Sequence, residues 1–122
     1  MPIRQRLTGA GDPPLLAQNT TGNVADGLTA LGSTQATALL ITEEANVFTT
    51  VAAATGAILR GDLGPGDEQE VANYGANALL VYPPIGGTIQ NGATNAGFSV
   101  AANKTARFRS RNGLNFTAIL SA

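Results

Sequence analysis

The sequence predicts an all-β protein: an antiparallel β-sandwich or jelly-roll-like domain of about nine short strands, preceded by an extended N-terminal arm. Two observations lead there. From Gln35 onward, short apolar runs are separated by Gly, Asn, Pro and acidic clusters at the spacing of strands and turns. Before that point, Asp12-Pro13-Pro14 excludes helix, because proline lacks an N–H donor and restricts the residue before it. At 122 residues the chain fits a single domain, divided here into an arm over 1–24 and one β domain over 25–122.

In chain order, the arm has no sustained period and contains Gly9, Gly11, Pro13 and Pro14. It reads as a frayed end or as a tether along a neighbour, anchored by Leu15 and Leu16. Val24 to Leu31 is compatible with one helical turn capped by Asp26. The strands follow as Ala36 to Thr42, Asn46 to Val51, Ala57 to Arg60, Glu70 to Asn73 and Ala78 to Tyr82. Thr88 to Gln90, Gly97 to Ala101, Thr105 to Ser110 and Asn115 to Leu120 complete the set. Glu43-Glu44-Ala45 is short enough to close a hairpin between the first two strands. Gly61 to Asp67 is too rich in Gly and Pro for regular structure.

Two strands are apolar at successive positions, although successive side chains point to opposite faces. These are Ala38-Leu39-Leu40-Ile41 and Ala78-Leu79-Leu80-Val81-Tyr82. In an antiparallel sandwich one face meets water, so a doubly apolar strand implies a cover on its outer side. Another subunit, the N-terminal arm or a loop of the same chain would each supply one. The expected oligomer contacts are Leu39, Leu40, Ile41, Leu79, Leu80, Val81 and Tyr82. Large core side chains are scarce, since 21 residues are Ala and there are only two Tyr, four Phe and no Trp. Burial between subunits would add to that core.

Composition removes most chemistry. Neither Cys nor His occurs, so disulfides, thiolate nucleophiles, zinc sites built on Cys or His, and an imidazole base are absent. No catalytic or metal-binding residue and no cofactor is predicted, and the chain reads as a non-enzyme. Asp62, Asp67, Glu68 and Glu70 surround a Gly-rich loop but lack regular calcium-loop spacing, and solvated surface carboxylates are the commoner reading. Whether they bind calcium is left open by the sequence. Gly61 to Gly66 and Gly86-Gly87 fit no phosphate-binding motif and read as turns. All eight acidic residues lie at or before Glu70, while Lys104, Arg107, Arg109 and Arg111 stand alone in the second half. Without overall basic excess or interleaved aromatics, no nucleic-acid partner is expected. No apolar run suits a signal peptide or membrane span, so a cytoplasmically made product without a membrane partner is expected.

Arg107, Arg109 and Arg111 are spaced two apart. On a strand they project from one face, with Ala106 and Phe108 on the other. Such a row is either a solvated edge that deters aggregation or a docking surface paired with carboxylates such as Glu43-Glu44.

The segments Ala25 to Leu39, Asn73 to Pro84, Gly86-Gly87-Thr88-Ile89 and Ala101 to Ala106 together resemble small proteins encoded among the virion structural genes of tailed bacteriophages and prophages. The resemblance spans roughly 24–120 and carries no catalytic motif. It implies a virion protein made in the host cytoplasm: a capsid decoration, cement or head-fiber subunit, homotrimeric, with the major capsid protein or another virion protein as partner. Leu15, Leu16, Arg107, Arg109 and Arg111 are then the expected capsid-docking residues. The competing reading is a receptor- or glycan-binding module of a tail fiber, against which the shortage of aromatic platforms argues.

Overall fold

The computed structural model describes residues 24–121, which form ten strands and one 3-10 turn. The strands are β1 (Val24–Thr29), β2 (Leu39–Leu40), β3 (Ala45–Thr50), β4 (Gly56–Ile58), β5 (Glu68–Asn73) and β6 (Leu79–Tyr82). They continue as β7 (Thr88–Ile89), β8 (Phe98–Val100), β9 (Lys104–Ser110) and β10 (Asn115–Leu120). From β1 to β9, successive strands alternate between two sheets, a six-stranded one ordered β1-β3-β5-β9-β10-β7 and a four-stranded one ordered β2-β4-β6-β8, and β10 stays in the first as the hairpin partner of β9.

This alternation makes the protein a β-solenoid of about four turns, correcting the expected antiparallel sandwich or jelly roll. One coil carries the chain from Val24 to its parallel partner Ala45, and the next from Ala45 to Glu70. In the other sheet, Leu39 pairs with Ala57 and Ala57 with Val81, again in parallel. The last turn changes direction. β8 runs antiparallel to β6, β9 to β5 and β10 to β9, while β7 pairs in parallel with β10. The hairpin expected at Glu43-Glu44-Ala45 is a solenoid corner instead: β2 and β3 lie in different sheets. A short polar connection serves equally as a hairpin loop or a corner, so its length does not distinguish them.

The proposed helical turn at Val24 to Leu31 is strand β1. Asp26 accepts the Gly27 N–H at 2.7 Å in place of capping a helix. Gly27 has φ +75 and sits where the β1–β3 register shifts, the left-handed conformation that a bulge places on glycine. The strand expected from Ala36 to Thr42 contracts to Leu39–Leu40, because Gln35–Thr37 forms the 3-10 turn. Asn115–Leu120 matches its predicted bounds.

Alternation then builds the core. Inward positions of the six-stranded sheet supply Phe48, Val71, Ala106, Phe108 and Phe116. The opposing sheet and its margins supply Ile41, Ala57, Leu59, Leu79, Val81 and Val100. Phe98 meets Phe108 edge-on across the sheets, with ring centroids 5.7 Å apart, an arrangement that puts the positive ring edge against the negative face.

Buried amides tie the coils together at the corners. Gln69 donates to the carbonyls of Ile41 at 3.1 Å and Glu43 at 2.9 Å, and accepts the Arg60 N–H at 3.0 Å. Asn73 donates to the carbonyls of Asn77 and Val100 at 2.8 and 2.9 Å and accepts the Gly75 N–H at 2.9 Å. Asn77 in turn donates to the Val51 carbonyl at 2.9 Å. A corner must leave the ladder, and these side chains satisfy the backbone groups it strands. Asn46 also donates twice, to Glu43 and Glu70, but its buried Oδ1 has no partner. Among the described residues, no helix is long and apolar enough to cross a membrane.

Candidate interaction surface

The residues expected at an oligomer interface divide between core and surface. Ile41, Leu79 and Val81 are fully enclosed by their own chain, and Leu39 is half-buried against the core. Their burial follows from parallel pairing, in which inward residues of neighbouring coils stack. Tyr82 points outward yet is only 8 % exposed. Its ring lies over two glycines: a Cβ on Gly56 would stand 2.9 Å from Tyr82 Cε2, and one on Gly97 would stand 3.1 Å from Cε1. The two glycines thus leave room for the Tyr82 ring to lie flat against the strand backbone. Leu40 remains 55 % exposed and Leu80 half-buried, leaving these two of the seven with outer surface to offer.

Arg107 and Arg109 project outward from β9, with Ala106 and Phe108 directed into the core. Their partners come from β5, the antiparallel neighbour in which Glu68 registers with Arg109 and Glu70 with Arg107. Arg109 Nη2 lies 2.8 Å from Glu68 Oε2, and Arg107 Nη2 lies 3.3 Å from Glu70 Oε1. Arg107 Nε stands a further 3.8 Å from Glu68 Oε1. Arg107 and Arg109 are thus neutralised within the chain, by these carboxylates and not by Glu43-Glu44. Both guanidiniums remain well exposed, so each pair contributes at most about 1 kcal/mol. Arg111 follows β9 and is exposed, its N–H bonded to the Asn115 carbonyl at 2.8 Å. Leu15 and Leu16, with the arm that contains them, lie outside the described residues.

The loop carboxylates disperse. Asp62 is held bidentate by Arg60, at 2.9 Å to Nε and 2.8 Å to Nη2. That hydrogen bond holds the Asp62 carboxyl below its ordinary pKa and raises the Arg60 guanidinium. Asp67 Oδ2 accepts the Gly64 N–H at 2.9 Å. With Glu68 and Glu70 turned to arginines, no group of three acids that could hold a metal forms among the described residues. Glu43, Glu44, Arg60, Asp67, Glu68 and Arg109 instead border an open polar depression of about 830 Å³. Its opposed charges and open shape offer polar contacts.

Several exposed apolar side chains escaped sequence reasoning, including Ile119 at 72 % and Ile85 at 71 %, with Tyr74, Leu114 and Leu120. Ile119 was detectable: on a strand with Phe116 and Ala118 inward, its opposite parity turns it out. Ile85 lies in a turn, where parity gives no signal.

No known protein-family model, curated protein or solved structure matches the chain. What the fold defines is a β-solenoid whose outer faces carry paired charges and isolated apolar side chains.

Proposed function

We propose that the chain is a structural subunit of a tailed-phage virion, decorating or cementing the head or forming part of a head fiber, and that it acts through its outer faces. The observation that carries this reading is the regular face formed by β5, β9 and β10. There, two arginine–glutamate pairs stand beside Ile119, and none of these side chains serves the chain's own core. Such a face suits docking, because its charges already have partners and its apolar group has none.

The resemblance to virion proteins supports the setting. Its residues Asn73 to Pro84 and Gly86 to Ile89 build a corner and strands β6 and β7 in this chain. A particle presents many copies of each site, and modest contacts repeated over it give high total avidity. In the test, the full chain is incubated with expanded capsids of a phage carrying the gene, and the capsids are pelleted. Saturable co-sedimentation at a fixed number of copies per capsid is expected. Binding to host cells or surface polysaccharide, with none to capsids, would overturn the proposal in favour of a receptor-binding module.

A further inference from the structure

We infer that the outer face of the six-stranded sheet docks a second copy of this chain about a two-fold axis that runs parallel to the strands between β5 and β9. The inference rests on the docking reading of that same β5, β9 and β10 face and names its occupant as a second copy of the chain, whichever particle holds the pair. Its basis is the register across the sheet. Ala45 pairs with Glu70, Glu70 with Arg107, and Arg107 with Ile119, which makes one continuous outward row on β3, β5, β9 and β10. A second row reads Glu68, Arg109, Thr117. A third reads Val47, Ala72, Thr105, uncharged side chains with none longer than a β-branched one.

Rotation about that axis exchanges β5 with β9 and β3 with β10 while keeping each row at its own level. Glu70 then faces the partner subunit's Arg107, and Glu68 faces the partner's Arg109. Ile119, 72 % exposed, lies over the partner's Ala45, a large side chain above a small one, and the symmetry makes this contact twice. Opposed sheets pack with their strands within about 30° of parallel, which preserves these pairings near the axis. Because the four charges are already paired within each chain, covering them leaves no isolated ion; each gains a second opposite charge across the interface. The pattern is its own complement under this operation, as an isologous contact requires. A three-fold arrangement sets each face against a different surface of its neighbour and does not bring these rows together.

The test uses the full chain in sedimentation equilibrium, where a species of twice the 12.3 kDa chain mass is expected. Ile119→Lys should weaken pairing roughly 100-fold or more, since two buried isoleucines are lost per dimer, with an unchanged circular dichroism spectrum. A four-residue swap, Glu68→Arg, Glu70→Arg, Arg107→Glu and Arg109→Glu, restores every pair within the chain and between two swapped copies. It should dimerise with itself and fail to form mixed dimers with wild type in native mass spectrometry, because like charges then oppose each other. A wild-type monomer or trimer, an Ile119→Lys variant that pairs normally, or free mixing of swapped and wild-type chains would each overturn the inference. Failure to bind capsids leaves all these readouts unaffected, so the two proposals fail separately.

Discussion

Replacing Gln69 by methionine keeps the side-chain length and removes every hydrogen bond the amide makes. Gln69 is 1 % exposed and joins three stretches of chain: the end of the first coil at Ile41 and Glu43, the end of the second at Arg60, and β5 of the third. The Glu43 carbonyl retains its bond from Asn46 Nδ2 at 2.9 Å. The Ile41 carbonyl and the Arg60 N–H lose the side-chain partner that holds them at this corner. Stranding a buried backbone group costs about 1 to 3 kcal/mol, so two such groups amount to roughly 3 kcal/mol after allowance for the added apolar contact of methionine. With an m-value of about 1.5 kcal/mol/M, the urea midpoint should fall by about 2 M at unchanged slope. A loss below about 1 kcal/mol would refute the claim that this amide, more than local packing, holds successive coils in register.

Two further perturbations test the fold at other points. Gly56→Ala places a methyl 2.6 Å from the Leu80 carbonyl and 2.9 Å from the Tyr82 ring. It should cost about 1 to 3 kcal/mol and expose Tyr82; with no Trp in the chain and the exposed Tyr74 replaced by Phe, iodide quenching of tyrosine fluorescence would report the change at Tyr82 alone. The Asp62 carboxyl, with its pKa lowered by the Arg60 hydrogen bond, binds protons more weakly folded than unfolded. Whatever stability it adds is present at neutral pH and lost as pH falls through its folded pKa. An NMR titration of wild type should place Asp62 below the ordinary aspartate value, and Arg60→Gln should return it there.

β1, whose alternation is broken by the bulge at Gly27, reads in sequence as a helical turn, but most strands were legible there because alternation and turn residues are local signals. Asn115 to Leu120 and Arg107 with Arg109 illustrate this, since period two alone determines which side chains turn inward. Topology was not legible, because the residues that bound a strand do not state which sheet it joins. The apolar runs Leu39 to Ile41 and Leu79 to Tyr82 read in sequence as strands covered on their outer side by another subunit, the arm or a loop of the same chain. Parallel strands buried among neighbouring coils produce the same runs, and this, with two glycines under Tyr82, accounts for most of their burial. The buried amides were equally hidden: Gln69 and Asn73 are ordinary polar residues in sequence, and only the corner geometry gives their donors and acceptors a use. Glu68 and Glu70 looked like part of a loop cluster, whereas β5 places them opposite the arginines of β9. Pairing between residues so distant in the chain is fixed by topology and carries no local mark.

The central claim is that this solenoid works as a virion component through its outer faces. A density map of intact particles from a phage that carries the gene tests it most directly. The account predicts solenoid density on the head or in a head fiber, with an outer sheet face in contact with a neighbouring subunit. Particles complete in all other structural proteins but lacking this chain would contradict it.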